Sequence, residues 1–206
     1  YHNTKSIHEI TKDDLIDFNT NYILASNYSY TYQNQLVNAI KLFYKKVNNT
    51  KLDLEQLDRP KKDKQLPEVL SLDEVKELLT QIKNVKHKTL LSLLYSCGLR
   101  IGEALSLKIT SADFKRNLVH IKSGKGRKDR FVPLSLTMKQ LLQTYYIQYK
   151  HKVFIFEGQN GDKYSAVSAR QVLKRALNHT SINKHVTLHT LRHSYATHLL
   201  ENGTDI

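Results

Sequence analysis

Two short segments of the sequence place an arginine three residues from a side chain that could assist it. The first contains Arg100 and Glu103, and the second contains His189 and Arg192. Residues three apart are neighbours on a helix, so Glu103 could position Arg100 by a charge-assisted hydrogen bond. His189 and Arg192 could present an imidazole and a planar guanidinium to one oxyanion. Taken alone, the first pair could equally be a surface ion pair and His189 a structural residue.

A third segment, residues 122–130, is a basic run interrupted by two glycines. Gly124 and Gly126 flank Lys125, whose ammonium could reach a phosphate or donate a proton. The other cations of the run fit contacts to phosphates without chemistry: Lys122, Arg127, Lys128 and Arg130. A phosphate-binding P-loop is disfavoured, because no Gly-Lys-Ser/Thr run opens a helix here.

Together these groups suit the cleavage of a phosphodiester. Its five-coordinate transition state builds negative charge on two non-bridging oxygens, which Arg100 and Arg192 could stabilise by bidentate hydrogen bonds. Lys125 could protonate the leaving 5′-oxygen, and His189 could bind the same oxygens or handle the proton of the nucleophile. Two-metal catalysis would need several converging carboxylates, which the scattered acidic residues of this half do not offer. We therefore expect no metal ion and no other cofactor.

The charge of the chain fits a polyanionic partner. Its 206 residues include 32 Lys and Arg against 19 Asp and Glu, a formal net charge of +13. This excess suits nucleic acid, although a solubilising surface would show the same total. A single cysteine, Cys97, excludes a disulfide framework and a four-thiolate zinc site, and no apolar run approaches the roughly 18 residues of a membrane span. We expect a cytoplasmic protein that binds a polyanion such as nucleic acid and no membrane.

The charge is distributed unevenly along the chain. Residues 1–64 carry a net charge of +2 and residues 65–206 a net charge of +11. Between them, residues 58–67 form a charged run with two prolines and almost nothing apolar to bury, the composition of an interdomain linker. We place the boundary there, which predicts a domain over 1–64 and a second over 65–206.

The first domain is predicted to be helical. Thr11 and Asp14 fit a capping box, and a longer helix is predicted over residues 30–47. The predicted apolar stripe of that helix consists of Leu36, Ile40, Phe43 and Val47. Lys41 and Lys45 lie off this stripe, so the helix could lay a basic face on a DNA duplex, although a solvated face is the ordinary alternative.

The second domain is predicted to be α+β, which makes the chain mainly α with a small antiparallel β-sheet. Ser71 and Glu74 fit another capping box, and a buried helix should end at Cys97, with Gly98 as its left-handed cap. Strands are predicted at 117–121 and 130–134, on either side of the glycine-containing hairpin. The remaining predictions are helices over 101–107, 136–149, 165–177 and 187–202 and an extended segment at 153–156.

These motifs, in this order, resemble those of the tyrosine recombinases, the family of phage and transposon integrases. Residues 72–206 resemble the catalytic domain of the family, and residues 1–64 its helical core-binding domain. The resemblance rests on the segments around Arg100 and Lys125 and on residues 189–193 followed by 196–200.

The resemblance implies a role for each motif residue. Arg100 and Arg192 would bind the phosphate, and Glu103 would support Arg100. Lys125 would be the general acid on its hairpin, and His189 the motif histidine. The implied activity is site-specific recombination or integration of DNA for a mobile genetic element, through a 3′-phosphotyrosyl intermediate, without metal or ATP. A homotetramer on paired DNA sites is implied as well.

The family places its nucleophilic tyrosine well after the His-x-x-Arg helix, whereas this sequence ends at Ile206. We therefore expect a fragment that contains no nucleophile and is inactive in covalent cleavage, with Tyr195 as a packing residue. Two alternatives remain open. A type IB topoisomerase shares the chemistry but relaxes supercoils, and a decayed integrase or regulator would bind DNA without cleaving it.

Overall fold

The structure is a computed structural model that describes residues 5–46, 57–60, 67–122 and 129–203. The chain divides into two compact units, Tyr1–Gln65 and Leu66–Ile206. Among the described residues, no helix combines the length and the apolar character needed to cross a membrane. The assignment of the two units as a DNA-binding and a catalytic domain stays a prediction at this point.

The first unit begins with the predicted capping box. The Thr11 hydroxyl accepts the backbone N–H of Asp14 at 3.3 Å, and the Asp14 carboxylate accepts the backbone N–H of Thr11 at 2.9 Å. This carboxylate also lies at the positive end of the helix dipole, which favours the helix start. Helix α1 covers Lys12–Phe18, a π-helical segment covers Asn19–Leu24, and α2 covers Tyr30–Lys46.

The apolar face of α2 differs from the predicted stripe. Its buried residues are Gln33, Val37 and Tyr44, whereas Leu36, Ile40 and Phe43 are only partly buried beside them, and Val47 lies outside the described residues. Gln33 can be buried because its amide donates to the carbonyl of Ser26 at 2.9 Å, which satisfies the polar group. On the same helix, Lys41 is half-buried and Lys45 is exposed.

The segment 57–60 belongs to the first unit. Leu57 is buried in its core, and the side-chain amide of Asn19 donates to the carbonyl of Asp58 at 3.0 Å. Arg59 donates to the side-chain oxygen of Asn34 on α2 at 2.7 Å. The first residues of the predicted linker, Asp58 and Arg59, are therefore hydrogen-bonded to the helical part of the first unit.

The second unit has the predicted mixture of helices and a small sheet. Its helices are α3 (Leu72–Thr80), α4 (Val85–Ser96), α5 (Ile101–Leu105), α6 (Leu136–Tyr149), α7 (Ala166–Leu177) and α8 (Leu188–Glu201). The strands β1 (Ala112–Asp113), β2 (Leu118–Ile121) and β3 (Arg130–Pro133) form an antiparallel sheet in that order. The fold class is therefore confirmed, while the segment at 153–156 forms a single bridge, from Phe154 to Lys108, instead of a strand.

Helix α4 is the centre of this unit. Four of its leucines are at most 1% exposed, and the helix packs against α3, α5, α6, α7 and α8. Helix α8 is also anchored to the segment before α3, because the buried hydroxyl of Ser194 accepts the backbone N–H of Leu70 at 2.9 Å. The packing of α4 against α8 thus fixes the two helices relative to each other.

The turn after α4 depends on a glycine. Gly98 has a φ of +56°, which confirms the predicted left-handed cap. A Cβ atom at this position would lie 2.5 Å from a ring carbon of Tyr195 on α8. Tyr195 also makes an edge contact with Tyr95, with ring centroids 6.4 Å apart. The tyrosine therefore packs against the turn, as predicted, and the turn needs glycine for both its backbone and its space.

We predict that Gly98→Ala destabilises the second unit. The left-handed backbone alone costs about 1–2 kcal/mol for a residue with a Cβ atom, and displacement of the Tyr195 ring adds to this cost. Chemical denaturation of the chain measures the effect. Gly102→Ala is the matched control, since its added Cβ meets nothing within 4 Å and alanine favours the helix. Equal stability of the two variants would contradict the prediction.

Candidate active site

The carboxylate of Glu103 is the meeting point of three arginine side chains. Arg100 donates from Nη1 to Oε1 at 3.1 Å, and Arg130 donates from Nη1 and Nη2 to the two oxygens at 3.0 and 2.8 Å. Nη1 of Arg192 lies 3.7 Å from Oε2. The side chain of Glu103 is only 10% exposed. One half-buried acid therefore joins α5, β3 and α8.

Local sequence places Arg100 and Glu103 together. Arg100 has an extended backbone directly before α5, and its backbone N–H donates to Oε2 of Glu103 at 2.8 Å. The glutamate thus caps the helix with the same carboxylate that binds the Arg100 side chain. The expected contact between Glu103 and Arg100 is present, and it fixes the arginine at the start of the helix.

Arg192 comes from a distant part of the chain. It lies in the second turn of α8, and its guanidinium also donates to the carbonyl of Gly98 in the turn that Tyr195 covers. Burial, and then the nearby Arg100, lower the pKa of Arg192 below its usual range. The structure therefore brings the guanidinium groups of Arg100 and Arg192 to one place, held there by the packing of α4 and α8.

The cluster combines a stable anion with an excess of cations. Burial would raise the pKa of Glu103, but hydrogen bonds from Arg130 and from Arg100 outweigh it and lower the pKa to about 2. Three guanidinium groups against one carboxylate leave two positive charges in excess. The side chains of Arg100, Arg130 and Arg192 are 36%, 35% and 29% exposed, so the excess charge faces solvent. Such a site can bind an anionic group such as a phosphodiester.

The structure gives Arg130 an acidic partner that the sequence analysis did not predict, and its expected contact with DNA phosphate stays a prediction. Arg130 begins β3 and lies opposite the buried Ile121, on the same face of the strand as the buried Val132. Phe131, which points the other way, is 63% exposed. Because strand side chains alternate, Arg130 points inward, where Glu103 neutralises it.

The other hairpin cations are only partly described. Lys125, Arg127 and Lys128 lie outside the described residues, so their positions stay predictions. Lys122 is exposed at the end of β2 and lines a small pocket of about 200 Å³ that Glu103 also lines. The described end of the hairpin therefore lies beside the arginine cluster.

His189 is exposed in the first turn of α8, and its ring lies 5.9 Å from the ring of His193. It also lines an open groove of about 650 Å³. The His189 ring thus lies near the next turn of α8. That His189 shares a site with Arg192 stays a prediction. His198, predicted as a packing or surface residue, is buried and lies 2.9 Å from the hydroxyl of Tyr95.

The groove beside His189 has a basic rim that the sequence analysis missed. The rim includes Arg170 and Lys174 from the exposed face of α7 and Lys184 from the following loop. The signal was present in the sequence, since the apolar residues of α7 recur at helical spacing and leave both basic residues on the opposite face.

A site for a resident metal ion is not visible in the described part of the chain. Residues 5–46, 57–60, 67–122 and 129–203 contain no group of three or more His, Cys, Asp or Glu side chains that could hold one. The expectation that the chain works without a metal or cofactor stays a prediction.

Comparison with known proteins identifies the family. The model of the phage integrase family matches residues 68–206, and that of the phage integrase N-terminal SAM-like domain matches residues 1–54. The chain belongs to the phage integrase family. The resemblance to tyrosine recombinases is thereby confirmed.

Individual relatives agree with this assignment. Tyrosine recombinase XerA of Pyrococcus horikoshii is 36% identical over 185 residues, which are 88% of this chain and 64% of the relative. Tyrosine recombinase XerD of Oceanobacillus iheyensis is 39% identical over 163 residues, 73% of this chain and 54% of the relative. The chain thus spans about half to two thirds of the length of the curated relatives it matches.

Solved structures show the same fold. A crystal structure of XerA recombinase has a TM-score of 0.64 and 29% identity, and the match covers 98% of this chain and 73% of that one. XerH site-specific recombinase bound to its difH substrate has a TM-score of 0.74 and 24% identity, covering 96% of this chain and 61% of that one. At that identity the second match supports the fold alone.

We predict that Glu103→Gln lowers the free energy of unfolding by about 2 kcal/mol at neutral pH, the usual value of hydrogen bonds to a charged group. Because folding lowers the pKa of Glu103, its contribution is complete above its ordinary pKa of 4.5 and is lost as the pH falls through about 2. The difference between the wild-type chain and the variant should therefore shrink across this range.

Denaturation at a series of pH values measures this difference. Glu201→Gln, at the exposed end of α8, is the matched control and should have little effect. A Glu103→Gln difference that stays constant from pH 7 to the acid range would show that the arginine pairs do not stabilise the fold.

Proposed function

We propose that this chain supplies the DNA-binding and phosphate-binding parts of a site-specific recombinase or integrase that cuts and rejoins double-stranded DNA. The observation that carries the proposal is the convergence of Arg100 and Arg192 on the half-buried carboxylate of Glu103. Membership in the phage integrase family supports it, and the same membership favours a recombinase over a type IB topoisomerase or a non-catalytic regulator.

In the proposed reaction, a tyrosine oxygen attacks the phosphorus and the bond from phosphorus to the 5′-oxygen breaks. Arg100 and Arg192 bind the non-bridging oxygens as negative charge develops on them. Lys125 donates the proton that the leaving 5′-oxygen takes up, and His189 binds the same oxygens or receives the proton of the nucleophile. The 3′-phosphotyrosyl ester conserves the energy of the broken bond, so rejoining needs neither ATP nor a metal.

The nucleophilic tyrosine is not assigned to any residue of this chain. Tyr195 is the tyrosine next to Arg192 in sequence, but its ring packs against Gly98 and Tyr95, and burial raises the pKa of its hydroxyl. A less acidic phenol is a poorer source of the attacking oxyanion. Tyr195 therefore keeps its packing role in the proposal.

DNA is the proposed partner of both units. Solved relatives with the same fold include XerH bound to difH and the Tn1549 transposon integrase bound to circular intermediate DNA. In this chain the excess positive charge lies in residues 65–206, which include the arginine cluster and the basic rim of the groove. The proposed phosphate contacts are Lys41, Lys45, Lys122, Arg127 and Lys128. We include in the proposal a homotetramer on paired sites, a mobile-element origin and action in the cytoplasm.

We predict that Arg100→Ala and Arg192→Ala each slow DNA cleavage by about 10²–10³, the usual loss for one donor to a developing oxyanion. The measurement uses a protein that contains this chain together with a nucleophilic tyrosine, on a nicked substrate that traps the covalent product. Arg116→Ala is the control, because Arg116 is 80% exposed in the turn before β2. Unchanged cleavage by either site variant would overturn the assignment of the arginines.

We predict that Lys122→Ala weakens binding of the chain to duplex DNA to a similar extent for every sequence. The loss of one phosphate contact should also reduce the slope of log K against log salt by about one unit. Titrations at several salt concentrations measure both effects. Lys76→Ala is the control, since Asp73 already pairs with that lysine at 3.2 Å. A loss confined to one DNA sequence would contradict a phosphate contact.

A further inference from the structure

The pair between Arg130 and Glu103 joins two parts of the second unit that are separate in sequence. Arg130 is the first residue of β3 and pairs in the sheet with Ile121, the last residue of β2. Residues 122–129, which include Lys125, connect these two positions. The bidentate contact to Glu103 therefore ties the start of β3 to α5, directly beside Arg100.

We propose that Arg130 is a positioning residue for DNA cleavage. It holds the start of β3, which follows Lys125 in the sequence, beside the phosphate-binding arginines by binding Glu103, and it does not itself bind DNA phosphate. This proposal rests on the function proposed above, and it replaces the DNA contact that the sequence analysis expected of Arg130.

The hydrogen bonds of the three arginines separate their roles. Arg130 directs both terminal nitrogens of its guanidinium at the carboxylate, the paired geometry that fixes an arginine most strongly. In the described part of the chain, Arg100 and Arg192 direct one terminal nitrogen each, Nη1, at protein acceptors. The contact to Glu103 occupies two of the five N–H groups of Arg130, so Arg130 has fewer donors left for a phosphate than Arg100 or Arg192. Arg100 and Arg192 can accept a ligand without losing their anchors.

The alternation of β3 supports the same conclusion. Arg130 lies on the same face of β3 as the buried Val132, and its guanidinium reaches Glu103 from that face. A lysine at this position would keep the charge but could not form two parallel hydrogen bonds to one carboxylate. Arginine is therefore required by geometry, whereas a simple electrostatic contact to DNA would accept either residue.

The decisive comparison is between Arg130→Lys and Arg130→Gln, in the protein that carries a nucleophilic tyrosine. We expect both variants to bind DNA with nearly the wild-type affinity and salt slope. At saturating DNA, both should cleave about 10-fold to 100-fold more slowly, because small displacements of catalytic groups are costly. A salt slope reduced by about one unit, with rescue of binding by lysine, would instead identify a phosphate contact and overturn the proposal.

A double-mutant cycle with Glu103→Gln tests whether Arg130 acts through Glu103. If it does, the double variant should cleave no more slowly than Glu103→Gln alone. Independent losses that multiply would overturn the proposal.

The pH dependence of cleavage gives a further test. The pH at which cleavage falls off on the acid side should be higher for Arg130→Gln than for the wild-type protein. Burial raises the pKa of Glu103, and the variant lacks the hydrogen bonds of Arg130 that lower it. Among the described residues, Arg100, Arg130 and Arg192 lie against Glu103, and Lys108, His120 and Lys122 line the same small pocket as Glu103.

The outcomes for the two proposals can be told apart. Full activity of Arg130→Gln, with activity lost in Arg100→Ala and Arg192→Ala, would overturn only the positioning role. Full activity of all three variants would overturn the proposed function and the positioning role together. Denaturation of Arg130→Gln, compared with Arg116→Ala, checks that a loss of activity is not a loss of folding.

Discussion

Three like charges can share one site in this protein because the half-buried carboxylate of Glu103 lies between them. Glu103 caps α5 through the backbone of Arg100, binds the side chains of Arg100 and Arg130, and lies 3.7 Å from Arg192. Without it, the guanidinium groups would repel one another at short range. The site therefore depends on the contacts of Glu103 with the arginines. Arg100 is close to Glu103 in the sequence, whereas Arg130 and Arg192 are distant from it in the sequence.

The helical scaffold supplies the long-range part of this arrangement. Helix α4 is buried among the other helices of its unit, and its end is turned by Gly98. The carbonyl of Gly98 accepts a hydrogen bond from Arg192 of α8. Because Gly98 has no side chain, the ring of Tyr195, also on α8, can pack against the turn. The positions of Arg100 and Arg192 thus depend on the turn at Gly98 and on α8, which packs against it.

Local signals in the sequence predicted most of the elements, while contacts across the fold were harder to predict. The capping boxes at Thr11 and Ser71 and the helix over 136–149 agree with the structure because each depends on neighbouring residues. Strand β1 was missed because its two residues are too short to show alternation. The buried face of α2 differs from the predicted stripe because the prediction used apolar residues alone. The buried face includes the polar Gln33, whose amide donates to a carbonyl outside the helix.

The candidate site shows the same division. The spacing of Arg100 and Glu103 predicted their contact, because both lie on one helical turn. The partner of Arg130 could not be read from its basic neighbours, since a run of cations suggests an exposed loop. The useful signal was the alternation with Val132 and Leu134, which places Arg130 on the inward face, where a cation needs an acidic partner.

An acid can belong to a site that is proposed to bind an anion, provided that the net charge of the site matches the charge that develops in the reaction. A phosphodiester carries one negative charge, and its five-coordinate transition state carries two. The cluster keeps two positive charges in excess, and Arg130 and Arg100 cover the oxygens of Glu103, which is 10% exposed. The ligand therefore meets guanidinium groups, and the carboxylate is shielded from it. Because the excess charge matches the transition state better than the ground state, the same residues that hold the DNA strand would favour its cleavage over its tight binding.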